Sequence, residues 1–295
     1  MDLEQKSIER IKIASEMSLH HYGKPLICTY SGGKDSDVML ELFKRSGVPF
    51  EVQNSHTTVD APPTVQHICE VFRELEFSGI PCSIDYHRQP DGHFLTMWNL
   101  IPQKLMPPTR LARYCCQKLK EGAGANRMIA TGVRWAESTK RRSRGGIDVI
   151  AKIPKDRLSA DVEIMLNSDN DKKRLIIERC EMKAKIVCNP IIDWADRDIW
   201  EFYWNECKNH NPLYRMGYYR VGCIGCPMAR RTLRIKGFHD FPTYERAYKR
   251  AFERMLENRK AKGLDSKWKN SEDVFHWWME DPDIDGQLSM EFGEE

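Results

Sequence analysis

Two sets of residues in this 295-residue chain have the types and spacing to do chemistry. The first is Ser31-Gly32-Gly33-Lys34-Asp35-Ser36. Adjacent glycines let a backbone turn tightly and approach a ligand where a Cβ would obstruct. A turn that opens a helix also aims N–H groups and the positive end of the helix dipole at one point. Lys34 adds a full charge there, Ser31 and Ser36 add hydroxyl donors, and Asp35 is suited to cap the helix or help position a metal. A loop of this kind holds phosphate, although it lacks the spacing of a Walker-type NTPase. The second set is Cys115, Cys116, Cys223 and Cys226, an adjacent pair and a CxxC that supply the four thiolates an iron-sulfur cluster takes. Gly222 and Gly225 suit a knuckle whose amides point at sulfur, and Pro227 restricts the exit. Zinc on the same residues is the competing metal reading. Adjacent cysteines chelate a small tetrahedral ion awkwardly, which favours the cluster. Buried structural thiols are the remaining alternative.

The elements that must position these residues alternate. Helical periodicity over residues 3–21 ends at Gly23 and Pro25, and the apolar run Leu26–Tyr30 reads as a buried strand leading into the loop. Helices are expected over 37–45, 65–77 and 94–101, and strands over 50–53, 82–86 and 128–133. The order implies an α/β fold, a mostly parallel sheet with helices on both faces and the loop beyond the carboxyl ends of its strands. Residues 152–185 turn polar and charged, with Asp169-Asn170-Asp171-Lys172-Lys173-Arg174 at the centre, and read as a solvated excursion. Regular structure returns at 186–192, with helices at 196–207, 243–262 and 272–280 and an acidic tail. The expected division is therefore a nucleotide-binding core over 1–150, a polar insertion over 151–185, the end of the core with the CxxC over 186–228, and a helical appendage over 229–295.

Composition narrows the class. Hydrophobic residues make up 41% of the chain, enough for a large core, and 46 basic against 43 acidic residues leave a net charge of only +3, so any nucleic-acid surface must be local. No apolar run reaches the length of a membrane helix, and the N-terminus has no apolar signal core, so a cytoplasmic protein with reduced thiols and no membrane partner is expected. Cys28, Cys69, Cys82 and Cys207 fall on expected strands and helices and read as core, while Cys180 or Cys188 could replace one of the paired cysteines. Arg230, Arg231, Arg234, Lys236, Lys249, Arg250, Arg254, Arg259, Lys260 and Lys262, interleaved with Phe238, Tyr244 and Tyr248, suit either a nucleic-acid surface or a charged helix face with ion pairs.

The loop at 31–36 resembles the PP-loop of the ATP pyrophosphatase superfamily. Further matching pieces are His56-Thr57-Thr58-Val59-Asp60, Arg113-Tyr114-Cys115-Cys116 with Lys118, and Gly132-Val133-Arg134 with Glu137-Ser138. Asn189-Pro190-Ile191 with Trp194, and Gly222-Cys223-Ile224-Gly225-Cys226-Pro227, complete the set. Over residues 26–228 the chain thus resembles the phosphoadenosine phosphosulfate reductase family, which includes DndC-like sulfurtransferases. The resemblance implies ATP or a sulfonucleotide, with Mg2+, at Ser31, Gly32, Gly33, Lys34, Asp35, Ser36 and Gly132, while His56, Thr58 and Asp60 in the post-strand loop could approach the adenine and ribose or a metal, or serve as caps and turns. The resemblance gives Cys115, Cys116, Cys223 and Cys226 the ligation of a 4Fe-4S cluster. Local chemistry gives catalytic roles to Lys34, which supplies charge for the phosphates, and to Arg134, whose guanidinium at the end of an expected strand beside the loop suits a phosphate or sulfate. Arg141 and Arg142 are weaker anion-binding candidates, and Arg144 reads as solvated.

Reductases of that family act through a cysteine near the C-terminus, and this sequence has no cysteine after Cys226. With Lys34 in an intact loop, that points to an adenylating sulfurtransferase drawing on a cysteine desulfurase or another sulfur donor, with nucleic acid among its acceptors. The alternatives are a reductase that makes sulfite from adenylyl sulfate or phosphoadenylyl sulfate, and a non-catalytic adenylate-binding subunit of a modification or defence complex. An oligomer is compatible with all three.

Overall fold

A computed structural model of the chain describes residues 2–120, 124, 126–137, 177–180 and 185–280, without the side chains of 177–180 and 185. Most of the polar excursion, Ser138, Arg141, Arg142, Arg144 and the acidic tail lie outside the described residues. In chain order the elements are α1 (Leu3–Tyr22), β1 (Leu26–Thr29), α2 (Lys34–Ser46), β2 (Phe50–Ser55), α3 (Pro62–Phe77), β3 (Cys82–Asp85), α4 (Met97–Lys104), α5 (Tyr114–Leu119) and β4 (Met128–Ala130). They continue as β5 (Ile177–Cys180), β6 (Lys185–Cys188), α6 (Asp196–Glu206), α7 (Pro212–Arg215), α8 (Arg231–Asp240), α9 (Pro242–Ala261) and α10 (Ser271–Glu280). These elements form two compact units. One takes in residues 1–56, 62–85 and 122–221, and the other residues 57–61, 86–121 and 222–295.

The first unit is the expected α/β fold. Its sheet runs β3-β2-β1-β4-β6-β5, with all neighbours parallel except the edge strand β5, which is antiparallel to β6. Leu26, Ile27 and Cys28 are all buried, as a central parallel strand covered on both faces requires. Val38, Leu42 and Phe43 of α2, Ile11 of α1 and Ile68, Val71 and Phe72 of α3 pack into the same core. Strand β1 pairs with β2 on one side and β4 on the other, so the chain leaving β1 emerges at the switch point where ligands of such sheets bind. Segment 189–194 ties α1 to the sheet. Ser7 and Arg10 both donate to Pro190 O, at 3.0 and 2.9 Å, and the Trp194 indole donates to Ser7 Oγ at 2.9 Å.

Several boundaries differ from the expected ones for local reasons. Strand β4 spans only Met128–Ala130, although the Thr131 N–H still donates to Cys188 O at 2.9 Å. Helix α4 starts at Met97, where Thr96 and Asn99 exchange side-chain-to-backbone bonds across the first turn. Helices α5 and α8 have no counterpart in the expected pattern.

The second unit is helical and is built around the turn Cys223–Cys226. Gly225 has φ +70°, and a Cβ there would come within 2.7 Å of both Phe238 Cζ and Trp278 Cη2. The Tyr248 hydroxyl donates to Ile224 O at 3.0 Å, and the Trp278 indole donates to Pro108 O at 2.7 Å. Phe238 and Tyr248 are therefore core residues rather than part of an aromatic surface. Arg234, 2% exposed, lies over the Trp278 ring and donates to Trp278 O.

Gly225→Ala combines a left-handed backbone with overpacking and is expected to cost about 2–4 kcal/mol. Gly263→Ala, at φ +65° with nothing within 4 Å of its Cβ, incurs only the backbone part. Urea unfolding should give a clearly lower midpoint for the first than for the second at unchanged slope, and equal midpoints would contradict the packing account.

Candidate functional site

The loop at 31–36 is held from behind by a buried polar network. The Tyr30 hydroxyl donates to Asp37 Oδ1 and lies 3.0 Å from His67 Nε2, and all three residues are buried. Burial raises the Asp37 carboxyl above its ordinary value, against hydrogen bonds from His67 and Tyr30 that lower it. Asn54 Nδ2 donates to Tyr30 O at 2.8 Å and Asn211 Nδ2 to Gly32 O at 2.6 Å, which fixes the backbone on both sides of Ser31. Gly32 has φ +70° and would place a Cβ 2.9 Å from Ile68 Cγ1, so this bend requires glycine. Within the loop Ser36 Oγ accepts from the N–H groups of Gly33, at 3.1 Å, and Ser31, at 3.3 Å. The Lys34 N–H donates to the Tyr214 hydroxyl at 2.7 Å. These three amides have protein acceptors, so the positive character of the site rests more on its charged side chains.

Those side chains converge on Asp35. Its Oδ2 lies 2.8 Å from Lys34 Nζ and its Oδ1 2.6 Å from Arg134 Nε. Arg134 is 2% exposed, pairs through Nη2 with Asp196 at 2.7 Å, and donates to Trp194 O through Nη1 at 3.3 Å. Lys34 Nζ also sits 5.2 Å from the centre of the Trp200 ring. The chain leaving β4 passes the first turn of α2 at Gly132, where a Cβ would lie 3.4 Å from the Asp35 backbone, an ordinary contact distance. The structure thus brings together Lys34, Asp35, Gly132 and Arg134. It turns Arg134 inward, as the residue that holds Asp35.

Thr58 and Asp60 lie in the second unit with all four cysteines. Thr58, at φ +66°, accepts the Met97 N–H at 3.0 Å and caps α4. Asp60 Oδ1 lies 3.7 Å from Cys223 Sγ, and its Oδ2 accepts from Thr57 Oγ1 at 2.6 Å. Asp60 and Cys223 also form an antiparallel bridge, and the Tyr244 hydroxyl donates to Asp60 O at 2.7 Å.

Cys115 and Cys116 sit on the first turn of α5 and share a hydrogen bond. That bond, with Arg113 and Lys120 nearby, lowers the Cys116 thiol against the opposing effect of burial, and the same bond pushes Cys115 up. Burial pushes Cys223 up to about 12, while Lys120 works in the opposite direction. Lys120 is itself held above its ordinary value first by Cys223 and then by Asp60 and Cys226. Among the described residues no three His, Cys, Asp or Glu side chains are grouped so as to hold a single metal ion. Cys28, Cys188 and Cys207 are buried core residues, Cys69 and Cys82 are half-buried, and the Cys180 side chain is not among those described.

Sequence reasoning missed Thr57, Lys120, Asp196, Asn211 and Tyr214. Lys120 carried a readable signal, one helical turn beyond Cys116. The other four are brought in by the fold. The Asp35 pairing has a measurable consequence. Asp35→Asn is expected to lower stability by about 1–3 kcal/mol, with Asp196 still holding Arg134. It should also tighten metal-free binding of inorganic pyrophosphate about tenfold, because Lys34 no longer has a competing carboxylate. Unchanged or weaker calorimetric binding would contradict this account of the loop.

Comparison with known proteins follows the same residues. The family model of the phosphoadenosine phosphosulfate reductase domain matches residues 25–229. An adenosine 5'-phosphosulfate reductase of Bacillus pumilus is 23% identical over 222 residues, 70% of this chain and 75% of that protein. A phosphoadenosine 5'-phosphosulfate reductase of Xylella fastidiosa is 41% identical over 49 residues, 17% of this chain and 20% of that one. Among solved structures, phosphoadenylyl-sulfate reductase from Candida auris has a TM-score of 0.46 at 15% identity, over 74% of this chain and 88% of its own. The U34-tRNA thiolase NcsA from Methanococcus maripaludis, with its 4Fe-4S cluster, has a TM-score of 0.44 at 13% identity, over 91% of this chain and 83% of its own. With the match running through the phosphate loop, Arg134 and all four cysteines, the chain belongs to the phosphoadenosine phosphosulfate reductase domain family.

Proposed function

We propose that the protein is an ATP-dependent adenylating sulfurtransferase, carrying out sulfur chemistry on an acceptor activated as its adenylate. The observation that carries this reading is the Lys34–Asp35–Arg134 arrangement at the start of α2. A lysine restrained by a carboxylate at a helix N-terminus is poised to transfer to a polyphosphate. The exposed part of Asp35 offers hard oxygen ligands that fit Mg2+. Bound there, the ion would neutralise phosphate charge, and Lys34 would be released from Asp35. Lys34 then stabilises the charge that develops on departing pyrophosphate as an acceptor oxygen attacks the α-phosphorus. Arg134, paired on both sides by Asp35 and Asp196, keeps Asp35 in place throughout.

Four cysteines in one unit, with a cationic Lys120 beside Cys223 and Cys226, fit the net negative charge of a thiolate-ligated 4Fe-4S cluster. Held by Cys115, Cys116, Cys223 and Cys226, the cluster would supply a site for sulfur or electrons. Asp60 and Thr57 orient the Cys223 sulfur. Nucleic acid as acceptor rests on charge alone, since Arg230, Arg231, Arg250, Lys260 and Lys262 are exposed while Phe238 and Tyr248 are buried. A second reading, reduction of a sulfonucleotide to sulfite, is favoured by the likeness to the Bacillus pumilus reductase.

Anaerobically purified protein should be brown with about four irons per chain, and Cys223→Ser should lose most of that iron. A colourless protein with one zinc would contradict the cluster. Given ATP, Mg2+, a persulfide donor and nucleic-acid acceptors, the protein should release pyrophosphate, and Lys34→Ala should do so about 100-fold more slowly. Full activity in that variant would contradict the assignment. Sulfite formed from adenylyl sulfate and a thiol would favour the second reading.

A further inference from the structure

The amide accounting at the loop leaves one donor without a destination. The Tyr214 oxygen accepts the Lys34 N–H at 2.7 Å. A phenol that accepts a hydrogen bond still has its own hydrogen to give, and among the described residues no protein atom accepts it. Tyr214 is only 9% exposed, and buried polar groups are rarely left unpaired. Two edge-on contacts hold the ring, with Trp200 at 5.0 Å and Tyr203 at 5.3 Å between centres, so the hydroxyl has little freedom to turn elsewhere.

The hydroxyl is placed against the loop itself. A Cβ built on Gly33 would lie 3.5 Å from the Tyr214 oxygen, so the phenol borders the bend just ahead of α2. Trp200, which packs on this ring, also carries Lys34 Nζ over its face. Asn211, three residues earlier, fixes Gly32 O and is itself fully buried. Segment 200–214 thus backs the loop at Gly32, Gly33 and Lys34.

We infer that Tyr214 is a ligand-binding residue: its phenolic O–H donates to an oxygen of the tetrahedral oxyanion, phosphate or sulfate, of the nucleotide in the loop. The inference deepens the proposed function and rests on it in placing a nucleotide there. The helix-terminal amide of Lys34, which would otherwise face the anion directly, acts through the phenol. Accepting from that amide polarises the hydroxyl and strengthens its donation. Burial holds the phenol well above the ordinary tyrosine range, so it stays protonated and remains a donor across the physiological range.

The test compares Tyr, Phe and 3,5-difluorotyrosine at position 214 by calorimetry. The ligands are inorganic pyrophosphate, ATP with Mg2+, adenylyl sulfate and adenosine, at a pH that keeps every phenol protonated. Tyr214→Phe should weaken the oxyanion ligands about tenfold or more and leave adenosine unchanged. Fluorination makes the phenol a stronger donor and a weaker acceptor, so the difluoro protein should bind oxyanions more tightly than wild type. The difluoro result also decides the matter if Tyr214→Phe fails to fold.

Equal oxyanion affinities in the three proteins, or weaker binding on fluorination, would overturn the inference and leave Tyr214 as a cap for Lys34. Pyrophosphate binding by wild type with no nucleotide binding would overturn the proposed function, while the order of the three proteins on pyrophosphate would still decide the role of Tyr214. ATP and adenylyl sulfate respond together if the phenol serves phosphate and sulfate alike. A response to one alone identifies the oxyanion it reads. No binding of any oxyanion by wild type would overturn both.

Discussion

The ion pairing of Asp35 organises the first unit. A buried guanidinium is costly unless it is fully paired, and Arg134 meets that demand with Asp35, Asp196 and Trp194 O. The partners come from two places: Asp35 from the first turn of α2, and Asp196 and Trp194 from the stretch that anchors α1 and leads into α6. Closing these pairs sets the end of β4 against the start of α2, with Gly132 beside the Asp35 backbone. Lys34 shares the same carboxylate. The geometry that stabilises the fold is therefore also the one that restrains the cation available for phosphate.

In the second unit the corresponding constraint is steric. The turn Cys223–Cys226 passes over Phe238, Tyr248 and Trp278 so closely that only glycine fits at position 225. Aromatic packing on one side and the Asp60 bridge on the other hold Cys223 in place. Thiols that must meet a common group need this kind of external positioning, because a CxxC turn alone leaves its sulfurs free to rotate.

Legibility in the sequence followed the range of each interaction. The parallel sheet, its helices and the tight turn at 31–36 were readable because apolar runs, Gly32-Gly33 and helical periodicity are local signals. The resemblance implied that the two cysteine sets serve one group, but the expected division left both in the nucleotide-binding core, and the discontinuous unit that holds them was not readable. Residues 57–61, which follow β2 directly, belong with residues 86–121 and 222–295, and nothing local announces this. Thr58 and Asp60, which read as nucleotide or metal contacts or else as caps and turns after a strand, lie beside α4 and Cys223. Arg134 was recognised as important, but its inward orientation depends on Asp196, 62 positions further on. Of the two readings open for the basic run at 230–262, the ion-paired helix face accounts for part of it, because Phe238 and Tyr248 serve the core and several of its cations bond backbone carbonyls or glutamates.

The central claim, that Lys34 leaves Asp35 to hold the distal phosphates of a nucleotide, is tested most directly by phosphorus NMR of α,β-methylene ATP bound with Mg2+. Binding to the wild-type protein should shift and broaden the β and γ resonances, and Lys34→Ala should abolish those changes. Equal perturbation of these resonances by both proteins, or none by wild type, would contradict the account.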